Sequence, residues 1–144
     1  MLDGTFSYID AVLTQSAPAI GGLSGDRLPN IPSLSGSLRV SYSEDLFGDW
    51  TGTIGGGLRA EDRRYSDVNH AFDSRPIPGY AAVDLNADVS DDTWTVRLFV
   101  KNLTDKRAYL TYDPLVNQAT GNISQIEATL MQPRTIGLSV DARF

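Results

Sequence analysis

Cysteine is absent from the 144-residue chain, which excludes disulfides and thiolate metal sites. The absence fits an oxidising compartment without requiring one. A single histidine, His70, leaves a conventional zinc site short of strong ligands. Positive charge is scarce: 12 Lys and Arg stand against 18 Asp and Glu, a net charge of -6. Nucleic acid is thereby excluded as a partner, because it requires a basic footprint. No apolar run approaches the roughly 18 residues of a transmembrane helix. The opening, Met1-Leu2-Asp3-Gly4, has neither the basic nor the apolar region of a secretory signal. Read plainly, such a chain stays in the cytoplasm. Read as part of a longer polypeptide, its address lies elsewhere in that polypeptide.

What is present is a repeated alternation. From Ile136 onward apolar residues fall on every second position: Ile136, Leu138, Val140, Ala142 and Phe144. A strand points successive side chains to opposite faces, so this segment has one apolar and one polar face. The same pattern predicts about six strands in all. The first, near Thr5 to Thr14, is ambiguous in phase, with Phe6, Tyr8 and Val12 opposing Ile9, Ala11 and Leu13. In the second, Ser33 to Tyr42, Leu34, Gly36, Leu38, Val40 and Tyr42 share a face. The third runs from Trp50 to Glu61, the fourth from Tyr80 to Ser90, the fifth from Thr93 to Leu103. Gly at 13 positions and Pro at 7 suit strands and turns better than helices.

The connections alternate in length. Ser43 to Asp49 and Asp91-Asp92 are short; Gln15 to Pro32, Asp62 to Gly79 and Thr104 to Pro133 are long. Short turns at one end and long loops at the other are a mark of transmembrane β-barrels, whereas compact soluble domains rarely carry several loops beyond about 12–15 residues. Tyr42, Trp50, Trp94 and Phe144 fall at the short-turn end, Tyr65, Tyr80, Tyr109 and Tyr112 at the long-loop end. These read as two aromatic girdles, and a terminal Phe144 suits the membrane–water boundary. The competing reading is a soluble β-sandwich that binds a ligand such as a carbohydrate, since a sandwich alternates in the same way.

Four segments carry a resemblance. Leu98-Phe99-Val100-Lys101-Asn102-Leu103-Thr104-Asp105-Lys106-Arg107-Ala108-Tyr109 is similar to the NL-x-D-K-x-Y element near the carboxy terminus of TonB-dependent outer-membrane receptors. Pro133-Arg134-Thr135-Ile136-Gly137, closing on Phe144, resembles their final strand. Gly25-Asp26-Arg27-Leu28-Pro29-Asn30-Ile31-Pro32 and Pro78-Gly79-Tyr80 through Val83-Asp84-Leu85 resemble stretches that lead into earlier strands. The matches occur in the family's order and cover nearly the whole chain. The resemblance implies a plugged barrel of about 22 strands that imports siderophore-bound iron, vitamin B12 or sugars. It makes residues 1–144 the carboxy-terminal portion, a partial all-β antiparallel up-and-down meander without plug or amino-terminal strands. The implied location is the bacterial outer membrane. The implied partners are outer-membrane lipid, the barrel assembly machinery, the remaining barrel and plug, and TonB through an amino-terminal part not in this chain. Thr135, Gly137, Val140, Ala142 and Phe144 stand where the assembly signal of such barrels would lie, with Ala142 in place of a frequent aromatic.

Catalytic signals are thin. No Gly-x-Ser-x-Gly elbow occurs. Asp91-Asp92 and Glu61-Asp62 read as turn and strand-end charges rather than an acid–base pair. Gly55-Gly56-Gly57 is followed by no helical pattern, so it reads as a bend in a curved wall rather than a phosphate cradle. Asn102-Leu103-Thr104 and Asn122-Ile123-Ser124 match the glycosylation pattern by chance. The expectation is a non-enzyme without cofactor or metal, with Arg63, Arg64, Tyr65, Arg75, Tyr109 and Tyr112 as candidate loop contacts to a ligand.

Overall fold

The computed structural model describes residues 1–68, 71, 74–117 and 120–143. Among these residues ten strands follow one another: β1 (Leu2–Tyr8), β2 (Leu34–Asp45), β3 (Thr51–Glu61), β4 (Arg64–Tyr65), β5 (Pro76–Ile77), β6 (Tyr80–Ser90), β7 (Trp94–Lys101), β8 (Tyr109–Val116), β9 (Ile123–Leu130) and β10 (Thr135–Ala142). No α-helix occurs among the described residues; one 3-10 turn covers Pro18–Ile20.

Six strands form one antiparallel sheet in the order β1-β2-β3-β6-β7-β10. Each sheet strand lies beside the next sheet strand in sequence, an up-and-down meander. The sheet is open, with β1 and β10 at its edges. Registers align the alternating residues into rows. Val40, Gly56, Leu85, Val100 and Ile136 share one row, and Tyr42, Ile54, Ala87, Leu98 and Leu138 the next. On the other face Ser43, Thr53, Asp88, Arg97 and Ser139 align, and Arg97 is ion-paired to Asp88.

Two tight turns explain why the strands fold back where they do. The Asp91 carboxylate accepts the N–H groups of Thr93 (2.8 Å) and Trp94 (2.5 Å). Between β2 and β3 the chain reverses through Gly48 at φ 57, with the Leu46 N–H donating to the Trp50 carbonyl at 2.9 Å. Gly tolerates that left-handed conformation at no steric cost.

The apolar face meets no second layer. Leu98 is 52% and Leu138 66% exposed, and Leu38, Val40, Ile54, Leu85, Ile136 and Val140 are likewise exposed. A sandwich would bury these rows against another sheet, so the soluble-sandwich reading has no structural basis here. Buried residues sit at the long-loop end instead: Val68 and Ile77 within the 62–79 loop, and Tyr80, Ala82, Ala108 and Met131 where the last loop meets the polar face.

Several expectations need correction. The first strand ends at Tyr8 rather than Thr14: the Ile9 N–H on the Ser33 carbonyl (3.0 Å) is a last rung in the β1–β2 register, and beyond it the partner changes, with the Leu13 N–H donating to the Asp26 carbonyl (2.8 Å) and Val12 in an isolated bridge to Arg27. Register settles its phase: Leu2, Gly4, Phe6 and Tyr8 lie opposite Val40, Leu38, Gly36 and Leu34, on the apolar face. Tyr80 is no girdle residue. It lies opposite Glu61 on the polar face, is buried, and donates its hydroxyl proton to Glu61 Oε1 at 3.0 Å. The stretch read as loop from Thr104 to Pro133 contains the β8–β9 hairpin, whose alternation is masked by Pro114 and two register shifts. Phe144 and His70 lie outside the described residues.

Gly137 has a packing reason. A Cβ built there would collide with the Phe99 ring, which crosses from β7 over the glycine. An aromatic laid over a strand glycine restores the contact area that the glycine lacks. Gly137→Ala is expected to cost about 1–3 kcal/mol of unfolding free energy, the range for overpacking. Phe99→Ala in the same chain is expected to recover most of that loss in a double-mutant cycle; additive losses would show that the ring is not the obstacle.

Candidate functional site

Asn102, Leu103, Asp105, Tyr109, Pro133 and Arg134, from the two carboxy-terminal segments that carry the resemblance, lie where the chain leaves β7 and returns to β10. Asn102 is the centre. It adopts φ 51, a left-handed conformation that Asn accepts more readily than most residues. Its side chain is buried, at 4% exposure. Nδ2 donates to the carbonyls of Lys106 (3.0 Å) and Gln132 (2.8 Å), and Oδ1 accepts the Lys106 N–H at 2.9 Å. The Asn102 N–H donates to Asp84 Oδ1 on β6 at 2.8 Å, and the Leu103 N–H to the Val83 carbonyl at 2.7 Å. Asn102 thereby ties its own turn to Gln132 through its side chain and to β6 through its backbone N–H. Because that side chain is buried and its nitrogen engaged, Asn102 is no glycosylation acceptor.

Asp105, at φ 50, adds a second tie. Its carboxylate accepts the Arg134 backbone N–H at 2.9 Å and pairs with Arg107 at 3.3 Å. The Arg134 N–H, helped by the Arg107 guanidinium and opposed by slight desolvation, holds the Asp105 carboxyl below the ordinary aspartate range. Pro133 precedes this contact and Thr135 begins β10. Tyr109 opens β8, so the element's last residue starts the hairpin that its first residue anchors.

The candidate loop contacts divide. Arg64 is buried; Nη1 pairs with Glu61 Oε2 at 3.0 Å and Nη2 donates to the Leu110 carbonyl at 2.6 Å. With Tyr80 bound to the other Glu61 oxygen, a chain of polar contacts runs from the sheet wall to the base of β8. Arg64 therefore holds the hairpin rather than facing solvent. Tyr65 is half-buried in β4, and its carbonyl accepts the Asn30 N–H at 2.8 Å. Arg75 is half-buried, with Nη1 donating to the Ser74 carbonyl at 2.9 Å. Arg63 is exposed. Tyr109 is exposed and meets the half-buried Tyr112 edge to face, at 5.6 Å between ring centroids and an interplanar angle of 82°. Such pairs are a favourable aromatic geometry. The structure brings Arg64 to the Tyr109 carbonyl, at 3.5 Å.

Residues given no role at this site from the sequence complete it: Glu61 and Tyr80 in the Arg64 network, Asp84 beneath Asn102, and the Ala108–Met131 pair, joined by the Met131 N–H donating to the Ala108 carbonyl at 2.8 Å. Apart from Glu61 and Arg64, three residues apart, their partners are remote in sequence, so no local signal marks the network. Among the described residues no group of three or more His, Cys, Asp or Glu is placed to hold a metal ion.

Comparison with known proteins agrees with this geometry. A family model described as TonB dependent receptor-like, beta-barrel, matches residues 1–103. The ferric preacinetobactin receptor BauA from Acinetobacter baumannii superposes with a TM-score of 0.71 at 25% identity, covering 96% of this chain and 19% of that one. The siderophore receptor PiuA from Acinetobacter baumannii superposes with a TM-score of 0.69 at 21% identity, covering 96% of this chain and 18% of that one. No curated protein matches. The chain thus spans about a fifth of the length of either solved receptor.

Removing the Asn102 side chain is expected to release the hairpin while leaving the sheet intact. Asn102→Ala loses buried hydrogen bonds and strains a left-handed backbone, together about 2–4 kcal/mol. The exchange of the Lys106 and Met131 amides is expected to accelerate in both Asn102→Ala and Asn102→Gly. Wild-type exchange in Asn102→Gly would mean that the backbone conformation alone matters.

Proposed function

The chain belongs to the TonB-dependent receptor-like β-barrel family, and from that premise we propose that it is the carboxy-terminal part of the barrel wall of an outer-membrane siderophore receptor. The observation that carries the proposal is the single-layer sheet with an exposed aliphatic face and a polar opposite face. In lipid only helices and closed barrels leave no backbone group unsatisfied, so the open edges β1 and β10 call for strands from the rest of such a receptor. In this reading residues 1–144 line one side of the barrel, the short turns face the periplasm, and the three long loops face outward. The remaining strands and a plug complete the receptor, and TonB acts through that plug. Strand β10, with Thr135, Gly137, Val140 and Ala142, has the alternation an assembly machinery would read, and Phe144 would close that signal.

Iron–siderophore cargo is favoured over a vitamin or a sugar because one solved neighbour is described as a ferric preacinetobactin receptor and the other as a siderophore receptor. We read the chain as non-enzymatic. Its well-placed carboxylates are engaged structurally: Asp88 with Arg97, Glu61 with Arg64 and Tyr80, Asp91 with a turn, Asp105 with Arg134.

Uptake of radiolabelled ferric siderophore by cells whose receptor carries this segment tests the proposal. Uptake is expected to stop when TonB is inactivated. Replacing both Tyr109 and Tyr112 by Ala is expected to weaken cargo affinity by about tenfold, or ~1.4 kcal/mol. TonB-dependent uptake of a vitamin or a sugar, with no iron uptake, would assign a different cargo.

A further inference from the structure

We propose that the outer edge of β9 is a second closing seam, paired above the bilayer by the continuation of the strand that seals β10. The inference rests on the receptor reading above. Strands β7 and β10 and strands β8 and β9 form one long hairpin with an interruption. Thr135 lies opposite Lys101, the Met131 N–H donates to the Ala108 carbonyl, and Leu130 lies opposite Tyr109. The interruption, Asn102–Arg107 against Gln132–Arg134, is the bulge that Asn102 and Asp105 pin. The chain therefore presents one extended edge from Ile123 to Ala142, of which β10 is the part within the sheet.

The two sides of the β8–β9 hairpin differ. The β8 side leans on the 62–79 loop, where β5 packs against it and Arg64 reaches the Leu110 carbonyl. Every β9 side chain is exposed. The direction of its amides follows from the register. The N–H of Met131 donates to Ala108 and that of Thr129 to Thr111 Oγ1, both toward β8. The amides of Ile126, Ala128 and Leu130 alternate with these and so point away from β8. Pro114 opposite Ile126 agrees, because a residue without N–H suits a position that makes no bond across the pair.

Natural edge strands left in water are guarded by Lys, Pro, bulges or short length. Strand β9, Ile-Ser-Gln-Ile-Glu-Ala-Thr-Leu, spans eight residues with no Lys and no Pro, and Glu127 is its one charge. The one register shift on β9 lies at Ser124, so the edge from Gln125 to Leu130 is unguarded, and with apolar Ile126 and Leu130 it is a template for strand addition. The occupant follows from continuity. Lipid requires a strand on the edge of β10, and about four-fifths of a receptor's length is available to supply it. That strand leaves the bilayer beside β9, with the backbone already aligned.

Residue-resolved amide hydrogen exchange on the detergent-solubilised receptor that carries this segment tests the seam. The outward amides of Ile126, Ala128 and Leu130 are expected to exchange at least about 100-fold more slowly than unstructured peptide, as the inward amides of Glu127 and Thr129 do. Peptide-like exchange at those three, with the inward amides and the outer edge of β10 protected, overturns the seam. Protection that disappears on dilution to monomer assigns the edge to a second copy and also overturns it. Free exchange along the outer edge of β10 would mean that the barrel does not close there, and the receptor reading fails together with the seam.

Discussion

The structure depends on an apolar sheet face that no other described part of the chain covers. Leu38, Leu58, Leu85, Leu98, Leu138, Ile54, Ile136, Val40 and Val140 are each more than a third exposed. Fully burying one such side chain stabilises by about 1.5–3 kcal/mol. Leaving nine half in water forgoes an amount comparable with the entire stability of a small domain, about 5–15 kcal/mol. The face is therefore built for a solvent that is not water. Hydrocarbon supplies that solvent and imposes a further demand, that every strand edge be paired. The open edges and the uncovered face are two consequences of one constraint.

Where the sheet leaves that environment the chain builds an ordinary protein interior. Val68 and Ile77 are each 1% exposed, and the loops around them are cross-tied by the Asn30 N–H on the Tyr65 carbonyl and by Arg64 on the Leu110 carbonyl. Asn102 and Asp105 mark the boundary between the two regimes. Below them the β7–β10 ladder is regular; above them the hairpin continues after a break whose backbone groups are met by side chains. A sequence element that reads as a family signature is thus a piece of backbone engineering. It lets one hairpin change course without leaving buried polar groups without partners.

The sheet was largely legible in the sequence, because a half-covered antiparallel strand writes its two environments into alternate residues. Leu34 to Tyr42 and Ile136 to Ala142 show this plainly, and the registers join them into the expected rows. Strand β1 was legible only in outline, since Phe6 and Ile9 oppose one another in phase and residues 11–13 leave β2 to bond with residues 26–28. Tyr80 was misplaced for a related reason: an aromatic at a strand end looks the same on either face until register fixes its side. The β8–β9 hairpin was hidden because Pro114 and two register shifts break its period. Of the site, Asn102, Leu103, Asp105, Tyr109, Pro133 and Arg134 were visible through resemblance. The Glu61–Arg64–Tyr80 network was not, since it is assembled from loop and strand ends by tertiary packing.

The central claim, that the aliphatic rows meet hydrocarbon, is tested most directly by brominated acyl chains. In the receptor carrying this segment, with Trp50, Trp94 and every tryptophan of the remaining barrel and plug replaced by Phe, a single tryptophan is placed at Leu138 or at the adjacent Ser139. The account predicts strong quenching of Leu138→Trp fluorescence by bilayers brominated in the acyl region, and little quenching of Ser139→Trp. Equal quenching at both positions, or shielding of position 138 in a protein that disperses in water without detergent, would contradict it.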